Sequence, residues 1–190
     1  MTVTTWNIDT AHTDVLFSAK HMMVTTVRGK FADVSGTISI DEENPTVSTG
    51  EFSVAVASLN TGVEPRDGHL RSADFFDAAN HPTATFASTK VLAKGGNDYV
   101  VTGDLTIRGT TRPVSFDVEL LGFYTGLNGF RRAGLHATGK INREDFGLNW
   151  NVALETGGWL VGKDIKLELD LAIEQAEAVM AESEARVLVA

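Results

Sequence analysis

Hydrophobic and polar residues alternate singly over much of the chain. The clearest example runs from Val114 to Leu120, where apolar residues are separated by Ser115, Asp117 and Glu119. Successive side chains of a strand point to opposite faces, so this stretch predicts a strand with one apolar and one polar face. The same alternation recurs over residues 15–21, 52–56, 101–107, 135–141 and 165–171.

Short polar or glycine-rich stretches separate the predicted strands. The 190 residues include 18 glycines and 4 prolines. Residues typical of chain reversals cluster at 41–45, 94–98, 108–113, 126–129 and 157–158. Many short strands joined by such turns indicate an all-β barrel or sandwich. The alternation gives about eight strands.

Two segments depart from this pattern. Residues 66–77 place Leu70 near Phe75 and Phe76 at loosely helical spacing, which predicts a short helix or ordered loop that acts as a lid. The end of the chain is rich in Ala and Glu. We therefore place one domain at residues 1–173 and an acidic tail at 174–190, either as a peripheral helix or as a disordered segment.

Composition excludes several classes of function. The chain has 25 acidic residues against 16 Lys and Arg, a formal charge of -9, and so lacks the basic surface of a nucleic-acid-binding protein. It has no cysteine, which excludes disulfides, thiolate catalysis and Cys-ligated metals. Residues 1–13 are polar and alternate like a strand, so we expect no export signal and a cytoplasmic location, with transient contact with a membrane surface.

An ordered series of motifs resembles the YceI family of lipocalin-like, polyisoprenoid-binding proteins. The series comprises Trp6-Asn7-Ile8-Asp9, segments 17–22, 27–31, 66–77, 81–86 and 103–110, and Ile141-Asn142-Arg143-Glu144-Asp145-Phe146-Gly147. The resemblance covers the chain from Trp6 to about Ile173. It implies an eight-stranded antiparallel up-and-down barrel, often a homodimer, that holds a long isoprenoid or fatty chain in its interior.

The residues on the predicted inner face agree with a hollow barrel. Small residues such as Ala19, Gly103 and Gly139 interrupt the larger apolar ones, and glycine inside a strand often marks a place where something approaches closely. Strands of about nine residues, each rising roughly 3.3 Å, would enclose a channel about 30 Å long. We therefore predict an unfilled apolar interior.

We predict that this interior binds a hydrophobic lipid and that the protein needs no cofactor or metal. The predicted ligand-binding residues share an inward position on a strand or a place in the lid, and they are Phe17, Ala19, His21, Phe31, Phe52, Val54, Arg66, His69, Leu70, Phe75, Phe76, Phe86, Leu105, Ile107, Phe116, Leu135 and Leu167.

Three of these residues are polar and have a second interpretation. His21 either meets the head group of a ligand or is a hydrogen-bonded core histidine. Arg66 and His69 either grip a hydroxyl or pyrophosphate at the mouth of the barrel or belong to a salt-bridged structural loop. We expect Arg108, beside Gly109 in a tight turn, to lie in solvent.

No catalytic motif accompanies the five histidines. The sequence has no His-Glu-x-x-His, no zinc-like pairing of histidines and no Gly-x-Ser-x-Gly. We expect a protein without enzymatic activity that transports, stores or sequesters a lipid. The alternative is a stress-related or interaction protein whose barrel is filled by its own side chains.

Overall fold

The alternating stretches form antiparallel strands in the computed structural model, which describes residues 3–127, 129–155 and 157–176. The strands are β1 (Val3–Ile8), β2 (Asp14–His21), β3 (Thr25–Phe31), β4 (Val34–Asp41), β5 (Thr49–Ala55), β6 (Leu59–Asn60), β7 (Thr83–Gly95), β8 (Asp98–Ile107), β9 (Thr110–Thr125), β10 (Arg131–Asn142) and β11 (Val161–Gln175). The helix of the described chain is α1 (Glu64–Arg71), and short 3-10 turns cover Thr10–His12, Pro45–Val47, Val56–Ser58 and Arg143–Phe146.

Eight of these strands close a barrel. Their hydrogen-bonded order is β1, β4, β5, β7, β8, β9, β10 and β11, and β11 pairs again with β1. The other three, β2, β3 and β6, extend the sheet from β11. The predicted eight-stranded antiparallel barrel is therefore confirmed, with three additional strands that the pattern did not separate.

The additional strands arise because long strands are interrupted. The first is broken by the turn Thr10–His12, so that β1 and β2 both lie along β11. The N–H of Asp9 donates to the Ala172 carbonyl at 2.8 Å, and the Thr13 hydroxyl accepts from the Ala172 N–H at 3.1 Å. These bonds satisfy the backbone of β11 where the ladder is interrupted, as buried backbone groups require.

The end of the barrel lies further along the chain than predicted. Gln175 pairs with Trp6, and the N–H of Ala176 donates to the Thr5 carbonyl at 2.8 Å. The predicted boundary between residues 173 and 174 was therefore placed inside β11, because the Ala- and Glu-rich composition masks the strand pairing. The remainder of the predicted tail, 177–190, lies outside the described residues. Within the described part of the chain, no helix combines the length and apolar character of a membrane span.

Phenylalanine rings of neighbouring strands pack against glycines at inward positions. A Cβ at Gly139 would lie 2.7 Å from Phe116 Cδ1, and a Cβ at Gly103 would lie 2.7 Å from Phe86 Cε2. Gly29 and Gly36 are covered in the same way by Phe17 and Phe52. The close approach expected at Gly103 and Gly139 is therefore made by rings of the protein itself, since a phenylalanine of the adjacent strand lies over each glycine. This packing of an aromatic ring on a glycine of the next strand helps to fix the register between the two strands.

Two apolar clusters occupy the two ends of the barrel. The larger one gathers residues of the inner strand faces with Phe75, Phe146 and Leu148 from the connecting segments. The smaller one centres on Trp6, Ala133 and Ile173, where β1, β10 and β11 meet. The Trp6 side chain is fully buried, and its indole N–H donates to Thr4 Oγ1 at 2.8 Å.

We predict that Gly103→Ala destabilises the protein by about 1–3 kcal/mol, because the new methyl group would meet the Phe86 ring and the Ala87 carbonyl oxygen. The matched control is Gly68→Ala in α1, where an added Cβ has no neighbour within 4 Å. That change should stabilise the protein by about 0.5–1 kcal/mol through helix propensity. Urea denaturation measures both effects, and equal stability of the two variants would contradict the packing described here.

Candidate ligand-binding cavity

The barrel encloses a cavity of about 900 Å³ with a predominantly apolar wall. Ligand pockets of proteins typically have about 300–1,000 Å³, so this volume is large enough for a sizeable ligand. The wall includes Glu42 and Asn97 from turns at one end and Arg66, His69 and Trp150 from the other end. The interior is therefore hollow, which disagrees with the alternative of a barrel filled by its own side chains.

The predicted binding residues all lie on the wall of this cavity. From the strands these are Phe17, Ala19, His21, Phe31, Phe52, Val54, Phe86, Leu105, Ile107, Phe116, Leu135 and Leu167, and from the lid they are Arg66, His69, Leu70, Phe75 and Phe76. The alternation located the strand residues because a period of two fixes which side chains face inward. It could not tell which of the aromatic rings lie against the wall.

The lid predicted at residues 66–77 is part of a longer segment, residues 61–82, which links β6 to β7 and contains α1. From here on, the lid means this whole segment. Its buried Phe75 and half-buried Leu70 and Phe76 belong to or pack on the larger apolar cluster. The Phe76 ring meets Phe31 of β3 edge-on, with centroids 5.9 Å apart. The helix spans Glu64–Arg71 rather than all of 66–77, and hydrogen-bonded turns follow it.

Arg108 attaches the lid to the barrel. Its guanidinium donates to the Phe75 carbonyl at 3.1 Å and to the Gly147 carbonyl at 3.3 Å. The expectation that this side chain lies in solvent is wrong, because the β8–β9 turn ends at the same end of the barrel as the lid. We call this end of the cavity the lid end and the opposite end the far end.

The polar side chains of the lid bond mainly to one another and to the backbone. Arg66 donates from Nε to Thr61 Oγ1 at 2.7 Å and from one terminal nitrogen to the Thr61 carbonyl at 2.9 Å. The buried Asp67 carboxylate accepts from the N–H and the hydroxyl of Thr61. Arg71 donates to the Leu59 carbonyl at 2.6 Å. These bonds are those of a structural loop, although Arg66 also borders the cavity.

His69 and His21 reach the cavity from different elements. His69 Nε2 lies 2.9 Å from the Asp74 carboxylate, and its ring meets Trp150 edge-on with centroids 4.5 Å apart. His21 is half-buried at the end of β2, where it pairs across the ladder with Val161 of β11. His21 is therefore an inward residue at the lid end, as its strand position predicts.

Arg143 borders the cavity and was missed by sequence reasoning. It is 3% exposed and lies in the 3-10 turn that follows β10. Burial lowers the pKa of its guanidinium, and Glu144 opposes this shift. The alternation ends at Ile141, so no periodic signal places a turn residue inside the barrel. The only signal was its position in the motif Ile141-Asn142-Arg143-Glu144-Asp145-Phe146-Gly147.

An ion pair lies at the far end. Glu42 accepts two hydrogen bonds from Arg131, and the guanidinium lies 4.5 Å from the Phe123 ring centroid. The hydrogen bond from Arg131 lowers the pKa of Glu42, and the same bond raises the pKa of Arg131. The charge of Glu42 is therefore compensated by Arg131 at the partly exposed far end of the barrel.

Among the described residues, one group of side chains could hold a metal ion, and it lies on the outer surface of the barrel. His136, Glu168 and Asp170 stand on neighbouring strands, and His136 Nδ1 lies 2.7 Å from an oxygen of Asp170. This hydrogen bond raises the pKa of His136. The group faces away from the cavity and is explained as a cross-strand ion pair, which is worth little at an exposed site.

Comparison with known proteins finds matches that cover most of this chain. The family model described as a YceI-like domain matches residues 6–173. The UPF0312 protein SERP2314 of Staphylococcus epidermidis is 38% identical over 167 residues, which cover 87% of this chain and 95% of that protein. The crystal structure of a Campylobacter jejuni YCEI protein has a TM-score of 0.72 at 32% identity and covers 90% of this chain and 97% of that one.

A further solved structure shares the fold at lower identity. It is a polyisoprenoid binding domain from Saccharophagus degradans, implicated in plant cell wall breakdown. Its TM-score is 0.65 at 18% identity, and the match covers 90% of this chain and 98% of that chain. At this identity the likeness concerns the architecture of the barrel.

We predict that Thr61→Val destabilises the protein by about 1–3 kcal/mol, since Arg66 Nε loses its acceptor and the buried Asp67 loses a donor. Thr5→Val is the control, because Thr5 is exposed on β1 and should change stability by no more than about 0.5 kcal/mol. Chemical denaturation followed by tryptophan fluorescence measures both. A Thr61 variant as stable as the Thr5 variant would show that these bonds do not hold the lid.

Proposed function

The chain belongs to the YceI-like domain family, and from this premise we propose that it binds a long-chain isoprenoid or related amphiphilic lipid inside the barrel. The observation that carries the proposal is the apolar cavity bordered by residues of both ends of the barrel. The polyisoprenoid binding domain with the same architecture supports this class of ligand.

The dimensions of the cavity favour an extended chain. Along β11, the wall includes Val161 near the lid end and Leu171 towards the far end. At a rise of about 3.3 Å per residue, this stretch spans roughly 30 Å along the strand. A polyprenyl, quinone-like or fatty chain matches a space that is long, narrow and lined by aliphatic and aromatic groups.

The energetics favour exchange with a membrane. Transfer of a chain from water gains about 0.8 kcal/mol per methylene group, so a long chain would exceed the practical affinity ceiling of about 20 kcal/mol. Water is therefore not the competing environment of the lipid. The barrel competes with the bilayer, and a lipid that leaves a membrane for the barrel is transported, stored or sequestered.

Binding without catalysis agrees with the state of the polar groups on the wall. Arg66 already bonds to Thr61, and Glu42 pairs with Arg131. An acid–base catalyst requires groups placed to exchange protons with a substrate. We therefore propose a lipid-binding protein without enzymatic activity. Homodimerisation, contact with a membrane surface and a cytoplasmic location stay predictions.

We predict that Val101→Trp weakens the binding of geranylgeraniol at least tenfold, because Val101 lines the cavity and an indole would occupy part of the space for the chain. Titration of delipidated protein, followed by tryptophan fluorescence, gives the dissociation constant, and native mass spectrometry gives the stoichiometry. We expect one lipid per chain in the parent protein.

The matched control is Leu92→Trp. Leu92 is 47% exposed, and its neighbour Val91 faces the cavity, so Leu92 points outward. This variant should bind like the parent protein. Failure of the parent protein to bind geranylgeraniol or any fatty chain would refute the proposed function, and equal binding by the two tryptophan variants would place the lipid outside the barrel.

A further inference from the structure

The ionisable residues of the cavity wall are divided unevenly between its ends. Five basic residues border the cavity at the lid end, namely Lys20, His21, Arg66, His69 and Arg143. The described residues that line the cavity include one acidic residue, Glu42. It lies at the far end and is paired with Arg131. The chain as a whole has a formal charge of -9, so a basic cluster inside it is a local feature and does not follow from composition.

Arg143 is the most deeply buried member of this cluster. Its Nε donates to the Gly162 carbonyl at 3.1 Å, and its terminal nitrogens donate to the carbonyls of Leu148 and Val161. Arg143 takes part in none of the ion pairs formed among the described residues, so no carboxylate of that part of the chain lies within ion-pair distance of its guanidinium. Carbonyl oxygens accept hydrogen bonds but carry no net charge. Glu144, the next residue in the chain, interacts with Arg143 through its charge but forms no ion pair with it, so the guanidinium is buried without a hydrogen-bonded counterion.

Such a charge is unfavourable unless something compensates it. Buried charges in proteins are normally paired, because the loss of hydration is expensive in an apolar surrounding. A guanidinium has five N–H donors, and the three carbonyls use three of them. Two N–H groups are therefore not used by these bonds, and Arg143 is one of the residues that line the cavity. A guanidinium with free N–H groups is suited to bind a planar or tetrahedral oxyanion.

Two histidines share a neighbouring residue with Arg143. His21 is the cross-strand partner of Val161, whose carbonyl accepts from Arg143. The ring centroid of His69 lies 5.1 Å from that of Phe75, and the guanidinium carbon of Arg143 lies 5.9 Å from the same centroid. His69 and Arg143 therefore both lie beside Phe75, His21 and Arg143 both lie beside Val161, and all three basic residues line the cavity.

We propose that the lid end of the cavity recognises an oxyanionic head group, a carboxylate or a phosphate, and that Arg143 is the residue that determines this specificity. The inference rests on the proposed lipid binding and names the class of ligand: a single-chain anionic amphiphile whose tail points to the far end. Bidentate hydrogen bonds from a guanidinium to an oxyanion are stronger than those to a hydroxyl. A neutral alcohol with the same chain should therefore bind more weakly.

The test compares ligands that share a chain and differ in the head group. Palmitate is paired with hexadecanol, and geranylgeranyl phosphate with geranylgeraniol. Each ligand displaces Nile red from delipidated protein at pH 7. We expect the anion of at least one pair to bind tenfold or more tightly than its alcohol, which corresponds to about 1.4 kcal/mol. The two pairs distinguish a carboxylate site from a phosphate site.

Variants at Arg143 assign the effect to this residue. Arg143→Met should bring the ratio of the two affinities close to one, and circular dichroism shows that the variant is folded. Arg143→Lys keeps the charge but loses the planar fork, so its ratio should fall between those two. Arg28→Met removes the same charge from an exposed position of β3 and should keep the parent ratio.

A second measurement needs no variant. The carboxyl of ¹³C-labelled palmitate is titrated by NMR in the complex. A nearby guanidinium lowers the pKa of a carboxyl, whereas burial alone raises it. We expect the bound carboxyl to stay ionised to a lower pH than in water.

The outcomes separate this inference from the proposed function. Equal binding of acids and alcohols, a bound carboxyl with a raised pKa, or an unchanged ratio in Arg143→Met would overturn the assignment of the head-group site and leave lipid binding intact. Failure of all four ligands to displace Nile red would overturn the proposed function itself.

Discussion

Strand β11 pairs with three strands, and this pairing turns the sheet into a closed barrel. It lies along β10 for nearly its full length, along β2 at its start and along β1 at its end. The eight strands that close on one another leave no edge between them, so their inward side chains face one enclosed space. The division of the first strand into β1 and β2 at Thr10–His12 allows both partners to fit on one side of β11.

The aromatic residues set how much of that space is filled. Phe17, Phe52, Phe86 and Phe116 lie against glycines of neighbouring strands, so their rings cover the wall and leave the centre open. A ring that projected inward would reduce the cavity of about 900 Å³. Glycine and phenylalanine positions are thus coupled, and together they produce a hollow interior that can accept a long chain.

The sequence predicted the fold and the apolar wall well, because both depend on a local periodicity. Alternation around Phe116, Leu135 and Leu167 identifies the inner face without knowledge of the partners. The packing of Phe86 over Gly103 could not be predicted, because it depends on the register between two strands. For the same reason, Glu174 and Gln175 could not be recognised as strand residues before β1 was known to be their partner.

His21, Arg66 and His69 were predicted from sequence and lie on the cavity wall, but the roles of Arg108 and Arg143 escaped prediction because they depend on contacts between distant segments. Arg108 holds the lid through the Phe75 carbonyl, 33 residues away in the chain. Arg143 bonds to the carbonyls of Val161 and Gly162, which follow it by 18 and 19 residues. No repeat or short motif encodes such distances. The chemistry of the lid end therefore follows from the folded structure rather than from the pattern.

The central claim is that a lipid chain lies inside the barrel along its axis, and a crystal structure with 16-bromohexadecanoate tests it most directly. The anomalous signal of bromine marks the end of the tail. The account places this signal within the cavity near Tyr99 and Asn97 at the far end, with the chain extending back towards the lid. Bromine on the outer surface, or a barrel whose centre is filled by the rings of Phe86 and Phe116, would contradict it.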